Sequence, residues 1–122
     1  MLWEFNSREP VYRQIMDQIR DAVLSGDFVP GSRIPPVREL AAQARVNPNT
    51  MQRSLAELER EGLLLSSGSA GRFVTEDTAV LSRLRTEAVT RLAGACVREF
   101  AALGLTAEEA AAALLQWKEQ EV

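Results

Sequence analysis

Histidine is absent from this 122-residue sequence, and cysteine occurs once, as Cys96. The first absence removes imidazole acid–base catalysis, serine–histidine triads and histidine metal ligands. The second excludes an internal disulfide framework and fits a reducing compartment. Long apolar runs are missing too. The longest, Ala110 to Leu115, is six residues, whereas a membrane-spanning helix needs about 20. The opening Met1-Leu2-Trp3-Glu4 has neither a basic stretch nor an apolar core behind it. No secretory leader and no membrane partner are therefore expected, and the cytoplasm is the expected location. Basic side chains are the minority, 14 against 17 acidic, for a net charge of −3, and proteins with a broad nucleic-acid footprint are usually basic. The charge is unevenly spread, however. Residues 33–53 carry Arg33, Arg38, Arg45 and Arg53 against Glu39 alone, while residues 77–122 are slightly acidic.

What is present is ordinary globular composition, 46% hydrophobic and 25% charged, enough for one domain or two small pieces sharing a core. Leu2 to Asn6 alternates apolar and polar side chains and predicts a short edge strand. Pro10 reads as a first-turn proline, and Val11, Ile15, Ile19 and Val23 recur every four residues as an amphipathic helix closed by Gly26. Pro30-Gly31 is a tight turn. A short second helix starts near Val37 and turns Leu40, Ala41 and Ala44 inward. After Arg45-Val46, Asn47 is a good N-cap and Pro48 a good first residue for a third helix reaching Glu61, with Met51, Leu55 and Leu58 inside. Leu63–Leu65 and Arg72–Thr75 flank a Gly/Ser tip and predict a hairpin. From about Thr78 the chain is alanine-rich and helical, with Leu81, Leu84, Ala88, Leu92, Cys96, Phe100 and Leu103 at three- and four-residue spacing. Gly104 breaks that helix. Thr106 and Glu109 make a capping box for a last helix carrying Ala110, Leu114 and Trp117 on one side.

Three short helices followed by a hairpin make a winged helix-turn-helix, so the expected fold is mainly α (α+β), a winged domain over 1–76 with a two-helix tail over 77–122. Asn49, Thr50, Gln52 and Arg53 point outward from the start of the third helix. Asn and Gln can pair bidentately with adenine, Arg with guanine, and Thr with phosphate or a thymine methyl. The competing reading is a solvated polar face used against a protein partner. Arg45 and Arg60 are expected to pair with acidic neighbours, and Arg33 stands open between phosphate and solvent.

Pro10-Val-Tyr-Arg-Gln-Ile-Met-Asp-Gln-Ile-Arg20, Pro30-Gly31-Ser-Arg-Ile-Pro35, Val37-Arg-Glu-Leu-Ala41, Val46-Asn-Pro-Asn-Thr-Met-Gln-Arg53, Leu58-Glu-Arg-Glu-Gly62 and Gly71-Arg-Phe-Val74 resemble the GntR family of regulators, and the short helical tail resembles its YtrA subfamily. The resemblance covers about residues 8–75. It implies that Arg38 contacts DNA from the second helix and that Asn47, Asn49, Thr50, Gln52 and Arg53 do so from the turn and recognition helix. It also implies that Gly68 and Gly71 form a wing tip reaching the minor groove. The chain departs from the family in two places. Pro36 stands where a serine would cap the second helix, and Arg72 is the wing's only cation, the one expected to meet DNA from the wing.

The resemblance further implies a repressor of a palindromic operator in double-stranded DNA, with control of its own operon and of a neighbouring ABC transporter. No cofactor is expected, because the sequence shows no counterpart of the aminotransferase-like domain of MocR-like relatives. Two tail helices cannot bury two apolar stripes unaided, so a homodimer is expected through Leu84, Leu92, Cys96, Phe100, Leu103, Leu114 and Trp117. A small-molecule effector would have to sit at that interface or between tail and winged domain. The alternative is a helix-turn-helix module for protein–protein interaction. An enzyme is the remotest reading, since no nucleophile–base pair or metal cluster is visible and Glu57, Glu59 and Glu61 read as solvated helix surface.

Overall fold

The computed structural model describes residues 1–121, with side chains through Trp117. Its elements are α1 (Val11–Ser25), α2 (Val37–Ala44), α3 (Pro48–Arg60), β1 (Leu64–Ser66), β2 (Arg72–Val74), α4 (Thr78–Ala102) and α5 (Ala107–Glu121). One turn of 3-10 helix, Gly68–Ala70, forms the tip between the antiparallel strands, which pair Leu64 with Val74 and Ser66 with Arg72. This is a winged helix-turn-helix followed by two helices.

The chain forms two compact units, Met1–Leu84 and Arg85–Val122. In the first, Ile15, Ile19, Leu40, Met51, Leu55, Leu58, Leu63 and Leu64 are almost wholly buried and make one core. α1 and α3 pack most extensively, because the four-residue repeat of α1 and the inner stripe of α3 meet across it. The division falls at Leu84 rather than at 76/77 because Leu84 belongs to that core and Leu81 packs against it. Leu84, expected at a dimer interface, is thus an internal packing residue of the winged unit.

The opening residues differ from the edge strand that their alternation predicts. They form no backbone ladder. Two glutamines of α1 take a neighbouring strand's place instead. Gln14 Oε1 accepts from Asn6 N–H at 2.9 Å, and its Nε2 donates to the carbonyls of Asn6 at 2.9 Å and Glu9 at 2.8 Å. One turn along, Gln18 accepts from Glu4 N–H at 3.1 Å and donates to Glu4 O at 2.7 Å. A primary amide offers the same acceptor and donor as a peptide group. Four helix residues rise about 6.0 Å and two extended residues about 6.6–6.8 Å, so successive turns of α1 match alternate residues of the segment. Trp3 and Phe5, stacked with ring centroids 6.3 Å apart, are thereby held against the core.

A third strand-like segment went unpredicted. Arg33 bridges to Phe73, Ile34 N–H donates to Arg72 O at 3.0 Å, and Val74 N–H donates to Ser32 O at 2.9 Å. In the second unit, α4 gives way after Ala102 to a turn in which Gly104 has φ of 82°, and the capping box forms as predicted. Thr106 Oγ1 accepts from Glu109 N–H at 3.1 Å, while Glu109 Oε1 accepts from Thr106 N–H at 3.0 Å.

Candidate nucleic-acid interface

α3 starts where Asn47 and Pro48 require. Asn47 Oδ1 accepts from Asn49 N–H at 2.7 Å, and proline occupies the first helical position without an unsatisfied donor. Met51, Ser54, Leu55 and Leu58 point inward, which leaves Asn49, Gln52 and Arg53 exposed and Thr50 half-buried. Asn47 is exposed too; its carbonyl oxygen accepts the cap bond, and its amide N–H groups have no partner among the described residues. The buried Ser54, a polar residue on an apolar stripe that sequence reading passed over, hydrogen-bonds through Oγ to Tyr12 O and to Thr50 O, each at 3.0 Å. This ties α1 to α3 beside the outward face.

The helix-turn-helix pair is joined by a turn in which Arg45 takes the left-handed conformation, φ 58° and ψ 46°. Arg45 is the one non-glycine residue with positive φ among those described. Its expected acidic partner does not appear. Arg33, Arg38, Arg45 and Arg53 form no ion pair and no side-chain hydrogen bond within the described residues. Arg60 does pair as expected, with Glu57 at 2.9 Å. Arg38 is exposed in the first turn of α2, whose N-cap, Pro36, gives no side-chain hydrogen bond.

At the wing the structure corrects one assignment. Arg72, expected to face DNA, lies mostly buried with its Nε on Glu59 Oε1 and its Nη1 3.3 Å from Gln52 Oε1. Register explains this. Ser66 and Arg72 are directly paired across the hairpin, and both reach Glu59 of α3, with Ser66 Oγ donating at 2.6 Å. The Ser66 hydroxyl foremost, then the Arg72 guanidinium, hold the Glu59 carboxyl below its ordinary pKa, and burial opposes them in part. Gln52 is left with its oxygen turned to Arg72 and its NH2 free. Gly68 and Gly71 both have positive φ, 52° and 100°. At Gly71 a Cβ would lie 2.9 Å from Arg33 Nε, so glycine there lets the Arg33 side chain cross the base of the wing. Arg33, carried by the unpredicted third segment, is the wing's unpaired cation in place of Arg72.

Tyr12, in the first turn of α1, is given no contact role by the sequence pattern. Its ring lies beneath Arg53, with the guanidinium carbon 3.7 Å from the centroid. Val11, Tyr12, Asn49, Thr50 and Arg53 line one crevice. In the tail, Leu92, Leu103, Leu114 and Trp117 are exposed, while Cys96 and Phe100 are half-buried.

The profile of the bacterial regulatory proteins of the gntR family matches residues 11–74. The chain is 37% identical over 106 residues to the uncharacterized HTH-type transcriptional regulator YhcF of Bacillus subtilis, covering 87% of this chain and 88% of that protein. It is 39% identical over 71 residues to the HTH-type transcriptional repressor YtrA of the same organism, covering 58% of this chain and 55% of that one. Among solved structures, a GntR family transcriptional regulator from Listeria monocytogenes superposes with a TM-score of 0.79 at 29% identity, over 95% of this chain and 98% of that one. The AraR DNA-binding domain in complex with operator ORX1 superposes with a TM-score of 0.56 at 28% identity, over 62% of this chain and 96% of that one.

Proposed function

The chain belongs to the gntR family of bacterial helix-turn-helix transcriptional regulators, and on that premise we propose that it is a sequence-specific repressor acting as a homodimer on a palindromic operator. The observation that carries this reading is the outward face of α3. Asn49, Gln52 and Arg53 stand exposed on a helix anchored from within and capped at its start. Arg38 and Arg45 flank it with no ion-pair partner among the described residues. A helix of this size fits the major groove, and its first turns face base edges. Cations that no carboxylate neutralises are available to phosphates. The homodimer is supported by the tail, where Leu92, Leu103, Leu114 and Trp117 remain exposed. Two-fold pairing would cover such side chains and place two recognition helices on paired half-sites.

The test is fluorescence anisotropy on DNA from immediately upstream of the protein's own gene, with excess nonspecific competitor and a salt series. Wild-type binding should survive the competitor and weaken steeply with salt. Arg38→Ala should lower affinity uniformly, and Arg53→Ala should blur site preference. Flat salt dependence, or both variants binding as wild type does, would overturn the reading in favour of a protein-interaction module.

A further inference from the structure

We propose that Tyr12, on the first helix, is a positioning residue for DNA recognition, which it serves by holding the Arg53 guanidinium flat against its ring. The proposal rests on the DNA-binding reading above and adds α1 to the recognition surface.

Three features of the structure converge on Tyr12. Its ring carries the Arg53 guanidinium at 3.7 Å, the separation of a stacked pair rather than a passing contact. Its backbone carbonyl lies 3.0 Å from Oγ of the fully buried Ser54 on the recognition helix, whose single hydroxyl proton is shared between Tyr12 O and Thr50 O. Its hydroxyl accepts from Arg13 Nε at 3.2 Å, and the Arg13 guanidinium carbon lies 5.8 Å from the ring centroid. The ring is thus held at its backbone and at its tip.

The chemistry of the pair explains its use. Guanidinium N–H groups lie in the plane of the group, so stacking on a ring consumes none of its five donors. An ion pair would orient the arginine equally well but would occupy the fork and cancel its charge, as Glu59 does to Arg72. Among the described residues Arg53 has no side-chain hydrogen bond or ion pair, and it lines the crevice with Asn49 and Thr50 at the start of α3. A free arginine side chain loses much rotamer entropy when it is ordered on binding. Tyr12 imposes that order before DNA arrives, which is preorganisation.

The experiment is a double-mutant cycle on full-length protein, using a duplex selected from a random pool by the wild type. Tyr12→Leu should weaken binding about fivefold, the scale of one exposed cation–π contact. Tyr12→Phe keeps the ring and should stay within about twofold. In an Arg53→Ala background, Tyr12→Leu should add less than about twofold, because its effect runs through Arg53. NMR relaxation of the Arg53 Nε–H in the free protein should show an ordered side chain in wild type and Tyr12→Phe, and a mobile one in Tyr12→Leu. Equal losses in both backgrounds, wild-type binding by Tyr12→Leu, or a mobile Arg53 in the wild type would each overturn the proposal. If the wild type enriches no sequence from the pool, the DNA-binding reading itself falls. Enrichment without coupling removes only the role of Tyr12.

Discussion

Arg45 occupies a backbone conformation that an L-residue adopts at a cost, and replacing it separates stability from DNA affinity in one substitution. The turn between α2 and α3 holds Arg45 at φ 58°, with Val46 N–H donating back to Ala41 O at 3.0 Å to close the end of α2. The left-handed conformation costs a residue with a Cβ about 1–2 kcal/mol. Glycine avoids that cost but loses about 0.5–1 kcal/mol more backbone entropy on folding. Arg45→Gly should therefore stabilise the winged unit by about 0.5–1 kcal/mol, a rise in Tm of several degrees for a domain of this size. Arg45→Ala keeps the strained backbone and should leave stability near that of wild type. Both variants remove a cation that has no partner among the described residues. If it meets a phosphate, each should reduce the slope of log K against log salt by about 0.9.

Urea unfolding and salt-dependent anisotropy on the three proteins decide the matter. A glycine variant that is more stable yet binds DNA more weakly would show that the strain is retained for the charge. The reasoning fails if Arg45→Gly is no more stable than Arg45→Ala, for then the turn stores no strain. It fails in its functional half if both variants keep the wild-type salt slope.

Four further outcomes are expected. Gln14→Leu removes the three hydrogen bonds that stand in for a neighbouring strand, and should cost about 2 kcal/mol in urea unfolding at roughly 1 kcal/mol per bond less the regained apolar burial; protection of the Asn6 amide from hydrogen exchange should fall with it. Asn47→Ala should lose about 1 kcal/mol of stability with the cap, whereas Asn47→Asp should keep stability and weaken DNA binding by repelling phosphate, a split read by comparing thermal melts with anisotropy. Glu59 has a folded pKa below its ordinary value, so its bonds to Ser66 and Arg72 stabilise at neutral pH and are lost as pH falls through that depressed value; the stability gap between wild type and Glu59→Gln, followed by urea unfolding against pH, should close only below the ordinary glutamate range. Leu92→Glu on the exposed face of α4 should shift sedimentation toward monomer and leave the winged unit's melting unchanged, while Leu84→Ala should cost about 2–5 kcal/mol of fold stability; a wild type that sediments as monomer at tens of micromolar would remove the dimer.

Elements defined by a period and a cap were legible in the sequence. α1, α3 and the Thr106–Glu109 box follow local rules, because four-residue apolar spacing and a capping side chain act within one or two turns. Elements whose partners lie far along the chain were not. The Leu2–Asn6 alternation is real, but its hydrogen bonds go to glutamine side chains on a helix, and no local pattern distinguishes these from a strand neighbour. The Arg33 segment is too short to show a period and is fixed only by pairing with Phe73. The spacing on α4 does not by itself assign its residues to one face. From Leu84 through Ala88, Leu92 and Cys96 to Phe100 each step is four residues, which overruns the helical turn by about 40°, so Phe100 points about 160° away from Leu84. One face cannot hold such a series. Leu84 is buried in the winged core and Leu92 is exposed. Among the site residues, the Asn49–Arg53 face followed from the inner stripe of α3. Arg72 and Tyr12 did not, since a cross-strand acid and an aromatic ring under an arginine are tertiary facts.

The net negative charge, which argues against DNA binding when taken over the whole chain, is resolved residue by residue. α3 and its C-cap carry Glu57, Glu59 and Glu61, which would repel phosphate if they stood alone. Each is met by an arginine of the chain: Glu57 by Arg60, Glu59 by Arg72 and Glu61 by Arg20. These three arginines are engaged with, and offset, the three acids of α3 and its C-cap. Among the described residues, Arg33, Arg38, Arg45 and Arg53 have no ion pair, and they belong to the wing base, the first turn of α2, the turn between the two helices and the outer face of α3. At physiological ionic strength a phosphate responds mainly to charges within about 8 Å. What it meets at this surface is therefore set mainly by those four arginines against Glu39 in the first turn of α2, and the excess acid of the more distant chain is largely screened from it.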